Sequence, residues 1–567
     1  MINFKLIPVL FFLLYLTIFK ISAKQIFAPA SQVSQQDILR GSITPQRAWW
    51  DLTHYHLDIK VDPANKSIAG TNTMKYRVLD EQKALQIELQ PPLTLDKVTQ
   101  NNTPLSYTQQ GYSYFINTLS GAKVGEDHQL VMHFSGIPKE AIKAPWDGGI
   151  TWSKDDNGTD FIASSCQGIG ASIWWPNKDH AYDEPDNGVL MSVEVPEHLV
   201  NVSNGRLTDV EHNKTAKTKT YHWQVTQPIN NYGVNINIGD YVNFTESYQG
   251  ENGKLDMNYY VLRHNLTKAK QQFKEAKRTI EALEHWFGPY PFYQDSYKLV
   301  EAPYLGMEHQ SSVTYGNGYQ NGYLGKDRSQ TGVGLLFDFI IVHETGHEWF
   351  ANSLTSVDIA DLWIHESFTS YSESLFVEYH FGKDKAFEYV KGQRMNIGNT
   401  DKIIGEYNIH QEGSSDMYDK GANMLHTLRQ IVNNDVTWRK ILRGLNKEFF
   451  HKTVTSEQIE QYISQQSDHN FATVFDQYLR DVRIPTLEYF IKNNVVKIKW
   501  SNVIQDFTMP VKLLINNQEK WVTPTQEWAE IDLSSLKLAT TENAKAGITV
   551  AVDPNFYIST LNILGNN

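Results

Sequence analysis

Cysteine is almost missing from this chain of 567 residues, with Cys166 the single one. No internal disulfide can form, so stability must come from buried apolar surface. Positive charge is also in short supply. Against 64 Asp and Glu stand 51 Lys and Arg, for a formal charge of -13, and no basic cluster offsets it; nucleic acid is excluded as a partner. Long apolar runs are absent with one exception at the start. Lys5 precedes the run from Leu6 to Phe19, followed by Ile21-Ser22-Ala23. Residues 1–23 therefore read as a signal cut near Ala23, giving a secreted or periplasmic protein with no stable membrane insertion, the alternative being an uncleaved anchor. An exported chain without disulfides fits a bacterial periplasm better than a eukaryotic cell surface. The seven Asn-x-Ser/Thr sites are near the number chance supplies in so Asn-rich a chain. No internal repeat or low-complexity run is found.

The length leaves room for several domains. From Trp49 the pattern is that of strands: Tyr55, Leu57, Ile59 and Val61 alternate with His56, Asp58 and Lys60, and short alternating runs parted by turn clusters continue to about Tyr241. A β-rich domain over 45–245 follows, too long for one simple sandwich and read as an open, saddle-like set of sheets. Helical spacing takes over at 267–287, where Phe273, Ala276, Ile280 and Leu283 share a side, and Phe287-Gly288-Pro289-Tyr290-Pro291 stops it. Further helical runs lie at 385–395 and 418–432, and Thr455-Ser456-Glu457-Gln458 has the form of a capping box. The second domain is thus expected at 246–482. At Arg483-Ile484-Pro485 strand patterns return, with a hairpin over 487–500 turning at Asn493-Asn494, and a small β-sandwich is expected over 483–560.

The chemistry concentrates in Ile340 to Thr355, IIVHETGHEWFANSLT, which contains His343, Glu344 and His347 as His-Glu-x-x-His. On a helix, residues four apart share a face, so both imidazoles converge on one point with Glu344 beside them. That is half a zinc site. Eighteen residues separate His347 from Glu366, which opens another helical run in WIHESF. Two antiparallel helices can aim His343, His347 and Glu366 at one ion and leave a fourth position for water, as a catalytic zinc requires. One zinc per chain is expected. Glu373, seven beyond Glu366 and near the same helix face, is a candidate acceptor for the far nitrogen of a ligand histidine.

In these residues the chain resembles the zinc aminopeptidases of the gluzincin group, the aminopeptidase N and leukotriene hydrolase type of peptidase family M1, whose signature is HExxH, eighteen residues, then Glu. The flanks agree: HEWFAN is similar to the family's HxWFGN and WIHESF to its WLNEGF, with Ala351, His365 and Ser367 as departures. Leu305-Gly306-Met307-Glu308-His309 is similar to GxMEN, with Leu305 and His309 departing. Tyr418-Asp419-Lys420-Gly421 looks like YxKG, and Cys166-Gln167-Gly168-Ile169-Gly170-Ala171 like the segment that brings a Gln or Glu into the site from the first domain.

The resemblance implies a multidomain α+β protein whose catalytic domain is thermolysin-like, between the β-rich domain and the terminal sandwich. It implies Glu344 as general base, Tyr418 as donor to the reaction intermediate, and Glu308 and Gln167, with Gly306 and Met307, as the surface that takes a substrate's free amino group. The expected substrates are peptides with a free N-terminus. Competing expectations are a thermolysin-like endopeptidase, for which the spacing is one residue short and the two extra motifs are foreign, and an epoxide hydrolase activity like that of one family branch. A catalytically dead binding relative would lack one of His343, Glu344, His347 or Glu366. The large helical domain that closes the cleft in many relatives is expected to be absent.

Overall fold

The structure, a computed structural model, describes residues 33–492, 495–533 and 548–563. The expected signal at 1–23 and the hairpin turn at Asn493-Asn494 lie outside the described residues. Among those described, no helix is long and apolar enough to cross a membrane.

Strand Trp50–Asp62 shows how the alternating pattern becomes a sheet. Leu57, Ile59 and Val61 are at most 1% exposed while Asp58 and Lys60 face water, the period-two signature of a half-buried strand. It lies inside an eight-stranded sheet, parallel to Val189–Pro196 and antiparallel to Ser67–Val78. A four-stranded sheet contains Gly149–Lys154, Asp160–Ser165, Val200–Val202 and Asn237–Gly239. One core serves both sheets and buries Trp174 and Trp175 completely. Strand Asp160–Ser165 ends where Cys166 and Gln167 begin, so the β-rich domain delivers that loop to the next domain.

The next sheet has five strands, Tyr241–Gly250, Gly253–Leu262, Tyr297–Glu301, Val313–Tyr315 and, on its edge, Gly306–Met307. The expected domain boundary at 245 falls inside the first of these strands. Helices cover this sheet. The expected run 267–287 is two helices, Leu266–Gln272 and Lys274–Phe287, meeting at Phe273, and Gly288 at φ 98° ends the second. Helix Trp363–Phe381 is the pillar of the domain, with every residue from Trp363 to Val377 buried. It is rich in Ser and Thr on its buried faces, which lets neighbouring helices approach closely. One such approach is fixed by glycine: a Cβ on Gly421 would stand 1.8 Å from Ser367 Oγ, and that hydroxyl donates to Met417 O at 2.7 Å.

At the end of the chain a four-stranded and a three-stranded sheet share the side chains of Leu487, Val496, Trp500, Val511, Leu513 and Phe556 with the main core. Arg394 Nη1 donates to Pro554 O at 2.9 Å and Tyr478 OH to Tyr557 O at 2.6 Å, fastening these sheets to the helices.

Candidate active site

Helix Phe339–Gly346 starts at Asp338, whose Oδ1 accepts from the Ile340 and Ile341 amides. The same carboxylate accepts from Gln272, Tyr315 and Asn317, and burial pushes it up to about 6. An Asp just before an apolar run is an N-cap signal, and the sequence reading passed over it. The helix does not run on past His347. The chain breaks there into a π-turn over Glu348–Asn352, with Phe350 at φ -122° and Ala351 at φ 137°. The break frees the Phe350 carbonyl, which accepts from His347 Nδ1 at 3.0 Å. Glycine adopts such a φ without strain and alanine does not, so the departure at Ala351 is a strained one. The carbonyl of Ala351 is held by Thr355 Oγ1 at 2.7 Å and Asn230 Nδ2 at 3.2 Å.

The structure brings His343, His347 and Glu366 together, one ligand atom of each within 4.8 Å of the others. Glu373 Oε1 accepts from His343 Nδ1 at 2.8 Å, and its other oxygen accepts from Tyr389 OH and Gln393 Nε2. With both Nδ1 atoms engaged, both Nε2 atoms face Glu366 Oε2, at 3.6 Å for His343 and 3.4 Å for His347. That oxygen is buried without a hydrogen-bond partner. Tetrahedral zinc with bonds of about 2.0–2.1 Å spaces its ligands roughly 3.4 Å apart, close to the two separations between Glu366 and the imidazoles. Two imidazoles and a carboxylate, each with its far side anchored, are a donor set suited to zinc.

Electrostatics agree with this placement. Burial opposes charge on His343, but the neighbouring Glu366 carboxylate and the hydrogen-bonded Glu373 overcome it and raise the imidazole to about 10. Burial likewise opposes charge on His347, and Glu366 and Glu308 raise it to about 8. Burial would raise Glu366, yet His347 and His343 hold it well below the usual carboxylate range. Burial raises Glu344, with Glu308 and Glu366 adding to the effect.

Glu344 has room because of a glycine: a Cβ on Gly306 would lie 2.8 Å from Glu344 Oε1. The edge strand Gly306–Met307 thus runs against the first ligand helix, and Met307 O accepts from Thr314 Oγ1 at 3.1 Å. Glu308 follows, 2% exposed, grouped with Glu344 and His347 within 4.8 Å and raised chiefly by burial. Gln167 Nε2 donates to Glu308 Oε1 at 2.6 Å and to Glu366 Oε1 at 3.3 Å. Tyr418 caps helix Asp419–Val432, and its ring lies 6.1 Å from that of His343 at 24°. Burial and the carboxylates of Glu366, Glu308, Glu412 and Glu344 push its phenol well above the usual value, so the hydroxyl keeps its proton.

Two of the family departures are histidines under strain of another kind. His309 is fully buried with both ring nitrogens unpartnered, and burial drives it to about 3. His365 accepts from the Ser356 amide at 2.8 Å through Nε2 and leaves Nδ1 unpartnered. The sequence reading missed Glu412, six residues before Tyr418, whose carboxyl is raised by desolvation and by Glu366. It also missed Arg328, stacked 5.2 Å from the Phe339 ring and bonded to Asp419 at 3.0 Å, which ties the Tyr418 segment to the first ligand helix. Neither lies in a recognisable motif.

A HExxH helix turn answered by a glutamate on the next helix, behind a β-rich domain, defines the class of gluzincin-type metallopeptidases. The chain belongs to peptidase family M1: the Peptidase family M1 domain matches residues 271–478 and the Peptidase M1 N-terminal domain matches residues 52–232, together more than half of the chain. It is 22% identical to aminopeptidase N of Lactobacillus delbrueckii subsp. lactis over 78% of this chain and 52% of that protein. It is 21% identical to leukotriene A-4 hydrolase of Xenopus laevis, over 73% of this chain and 68% of the relative. The chain thus spans about half the length of the aminopeptidase N it matches. In fold it is similar to an M1 zinc metallopeptidase from Deinococcus radiodurans, with TM-score 0.63, 20% identity, and coverage of 74% of this chain and 91% of that one. A second similar structure is Legionella pneumophila aminopeptidase A in complex with aspartic acid, with TM-score 0.73, 15% identity, and coverage of 90% and 59%.

Proposed function

We propose that this protein is a zinc aminopeptidase that removes single residues from the free N-terminus of peptides, with one zinc per chain held by His343, His347 and Glu366. The observation that carries the reading is the buried Glu308 carboxylate beside the ligand cluster, bridged to Gln167. A carboxylate so placed pairs with a protonated α-amine, and an internal peptide segment would leave it buried and unpaired, an expensive mismatch. An endopeptidase has no use for it. The relatives support the same activity: one is an aminopeptidase N, and an M1 zinc metallopeptidase mutant from Deinococcus radiodurans is described as bound to a Tyr-Ser-Ala substrate.

Zinc, when bound, polarises a carbonyl and lowers the pKa of water toward 7. The chain's own residues do the rest. Glu373 and the Phe350 carbonyl hold the two imidazoles in the orientation that turns both Nε2 atoms inward. Glu344, whose carboxyl is raised by burial, takes a proton from the attacking water and delivers it to the leaving amine. Tyr418, kept protonated, donates to the oxygen that gains charge. Glu308 and Gln167 grip the α-ammonium and set the register to one residue. The reading places the protein outside the membrane interior, and the signal at 1–23 makes export part of the proposal.

The test is a peptide in two forms, free and N-acetylated, followed by mass spectrometry. The free form should give a ladder losing one residue at a time, and the acetylated form should stay whole. Internal fragments from either would overturn the aminopeptidase reading in favour of an endopeptidase.

A further inference from the structure

Gln167 opens a stretch that side-chain packing does little to fix. Gly168 and Gly170 flank Ile169, a Cβ on Gly168 would meet nothing within 4 Å, and glycine adds backbone freedom. Left to itself, such a loop would have to be ordered each time a ligand binds, at a cost in affinity. The Gln167 side chain must nevertheless reach Glu308 and Glu366 in the neighbouring domain.

The loop is held by its carbonyls instead. His410 Nε2 donates to Gly168 O at 2.9 Å, while Arg40 Nη2 and Gln90 Nε2 donate to Ile169 O at 2.5 and 2.8 Å. Burial drives His410 down to about 4, so its ring is neutral, and a carbonyl partner places the single N–H on Nε2.

Three parts of the chain converge here. Arg40 belongs to helix Gln35–Gly41, ahead of the β-rich domain, and its guanidinium also pairs with the buried Asp179 at 3.2 Å. Only glycine fits above that pair: Gly170 has φ 91°, and a Cβ on it would stand 2.3 Å from both Arg40 Nη2 and Asp179 Oδ2. The same helix docks on the segment that carries His410. Asp37 O accepts from the His410 amide at 3.0 Å, and a Cβ on Gly41 would lie 2.1 Å from the carbonyl carbon of Ile409. His410 stands eight residues before Tyr418. The N-terminal helix thus joins the Gln167 loop to the segment that leads to Tyr418.

We propose that His410 and Arg40 are positioning residues, which hold the Gln167 loop by its Gly168 and Ile169 carbonyls so that Gln167 meets the substrate's α-ammonium already ordered. The proposal rests on the aminopeptidase reading, since that reading gives Gln167 its task. Neither residue is assigned a contact with substrate, so their loss should weaken binding and leave the chemical step alone.

The experiment uses the full chain loaded with zinc and leucine aminocoumarin amide. His410→Leu should raise KM about five- to tenfold, the worth of one hydrogen bond, with kcat within twofold of the wild type and zinc content unchanged. His410→Gln keeps a side-chain N–H and should restore most of the loss. Arg40→Lys keeps a charge opposite Asp179 but loses the fork that reaches Ile169 O and Asp179 together, and it should raise KM in the same way. A cycle with Gln167→Ala shows whether the effect runs through Gln167. Gln167→Ala alone should raise KM about tenfold or more, and adding His410→Leu or Arg40→Lys should change it by less than twofold. Effects that multiply would overturn the proposal. So would a His410→Leu protein with a lower melting temperature and an unchanged KM, the mark of a merely structural contact. If His410→Leu does not fold, the Arg40→Lys cycle decides by the same criteria. A wild type that leaves the substrate uncut would overturn the aminopeptidase reading itself, an outcome distinct from an active wild type whose KM ignores both positioning residues.

Discussion

The proposed metal side of the cleft and its proposed amine side are built in opposite ways. On the metal side every candidate ligand is anchored behind: His343 by Glu373, His347 by the Phe350 carbonyl and Thr369, and Glu366 within a wholly buried helix. On the amine side Glu308 ends an edge strand and Gln167 comes from a loop of another domain, with His309 buried beside them and both its nitrogens unpartnered. The first side is assembled by helical spacing within about forty residues. The second depends on how two distant segments meet. Ligand geometry should therefore be stiff and substrate register more easily lost.

The largest effect expected is on the stiff side. His347→Ala removes one of the three proposed ligands, and zinc content should fall from near one equivalent to a small fraction, with activity lost and not restored by added metal. Chelation of the wild type should abolish activity reversibly. Full zinc retention in the variant would show that the three atoms do not form the site.

Tyr418→Phe should lower kcat by about a hundredfold or more with KM little changed, since in the proposed mechanism the hydroxyl serves only the charge that develops during reaction. Glu308→Ala tests the other side. It should weaken free-amine substrates by about 2 kcal/mol, the scale of a hydrogen bond to a charged group, and zinc content should be unchanged. If Glu308→Ala also lost zinc, the two sides would be one coupled unit and the contrast would fail.

The pH dependence of the metal-free protein separates the sides further. His343 and His347 are raised to about 10 and 8 from a usual 6.5. Groups raised on folding contribute stability that is fully present below the unfolded value and is lost as pH rises through the folded values. The metal-free melting temperature should accordingly fall between about pH 6.5 and pH 10. Zinc must displace those protons, so its affinity should climb over the same range. A metal-free protein whose melting temperature is flat there would mean that the imidazoles are neutral.

The contrast also explains what could be read from the chain beforehand. HExxH and the Glu eighteen residues on are local spacing on helices, and spacing survives in sequence. The alternation in Trp50–Asp62 survives for the same reason. Gln167 and Glu308 are a different matter, because nothing in either segment says that they meet; only the likeness to a family suggested it. The helical run opening at Glu366 was expected and is helix Trp363–Phe381, but its burial on all sides was not legible, since such a helix carries no amphipathic stripe. Phe273 split one expected helix into two, and neither Gly nor Pro marks the place. The π-turn after His347 was equally silent: an alanine sits where the backbone favours glycine.

That alanine supplies the smallest and sharpest test of the stiff side. Ala351 has φ 137° and ψ -44°, is fully buried, and its carbonyl is fixed by Asn230 and Thr355. A non-glycine residue held in such a region costs about 1–3 kcal/mol. The surroundings enforce it because the same turn aims the Phe350 carbonyl at His347 Nδ1. Ala351→Gly releases the strain but frees the unfolded chain, which costs about 0.4–1 kcal/mol. The removed methyl is small, so the packing loss is of the same order, about 1 kcal/mol. The terms nearly cancel, and the melting temperature should move by no more than a few degrees. Zinc affinity is the more telling measurement. If the strained turn is held by its hydrogen bonds, the glycine variant keeps the His347 orientation and binds zinc within about threefold of the wild type. If the methyl itself locks the turn, the variant loosens His347, and affinity falls by the ten- to hundredfold typical of losing a supporting partner behind a ligand. The first outcome is expected, because the two hydrogen bonds to the Ala351 carbonyl and the one from His347 need no side chain at that position.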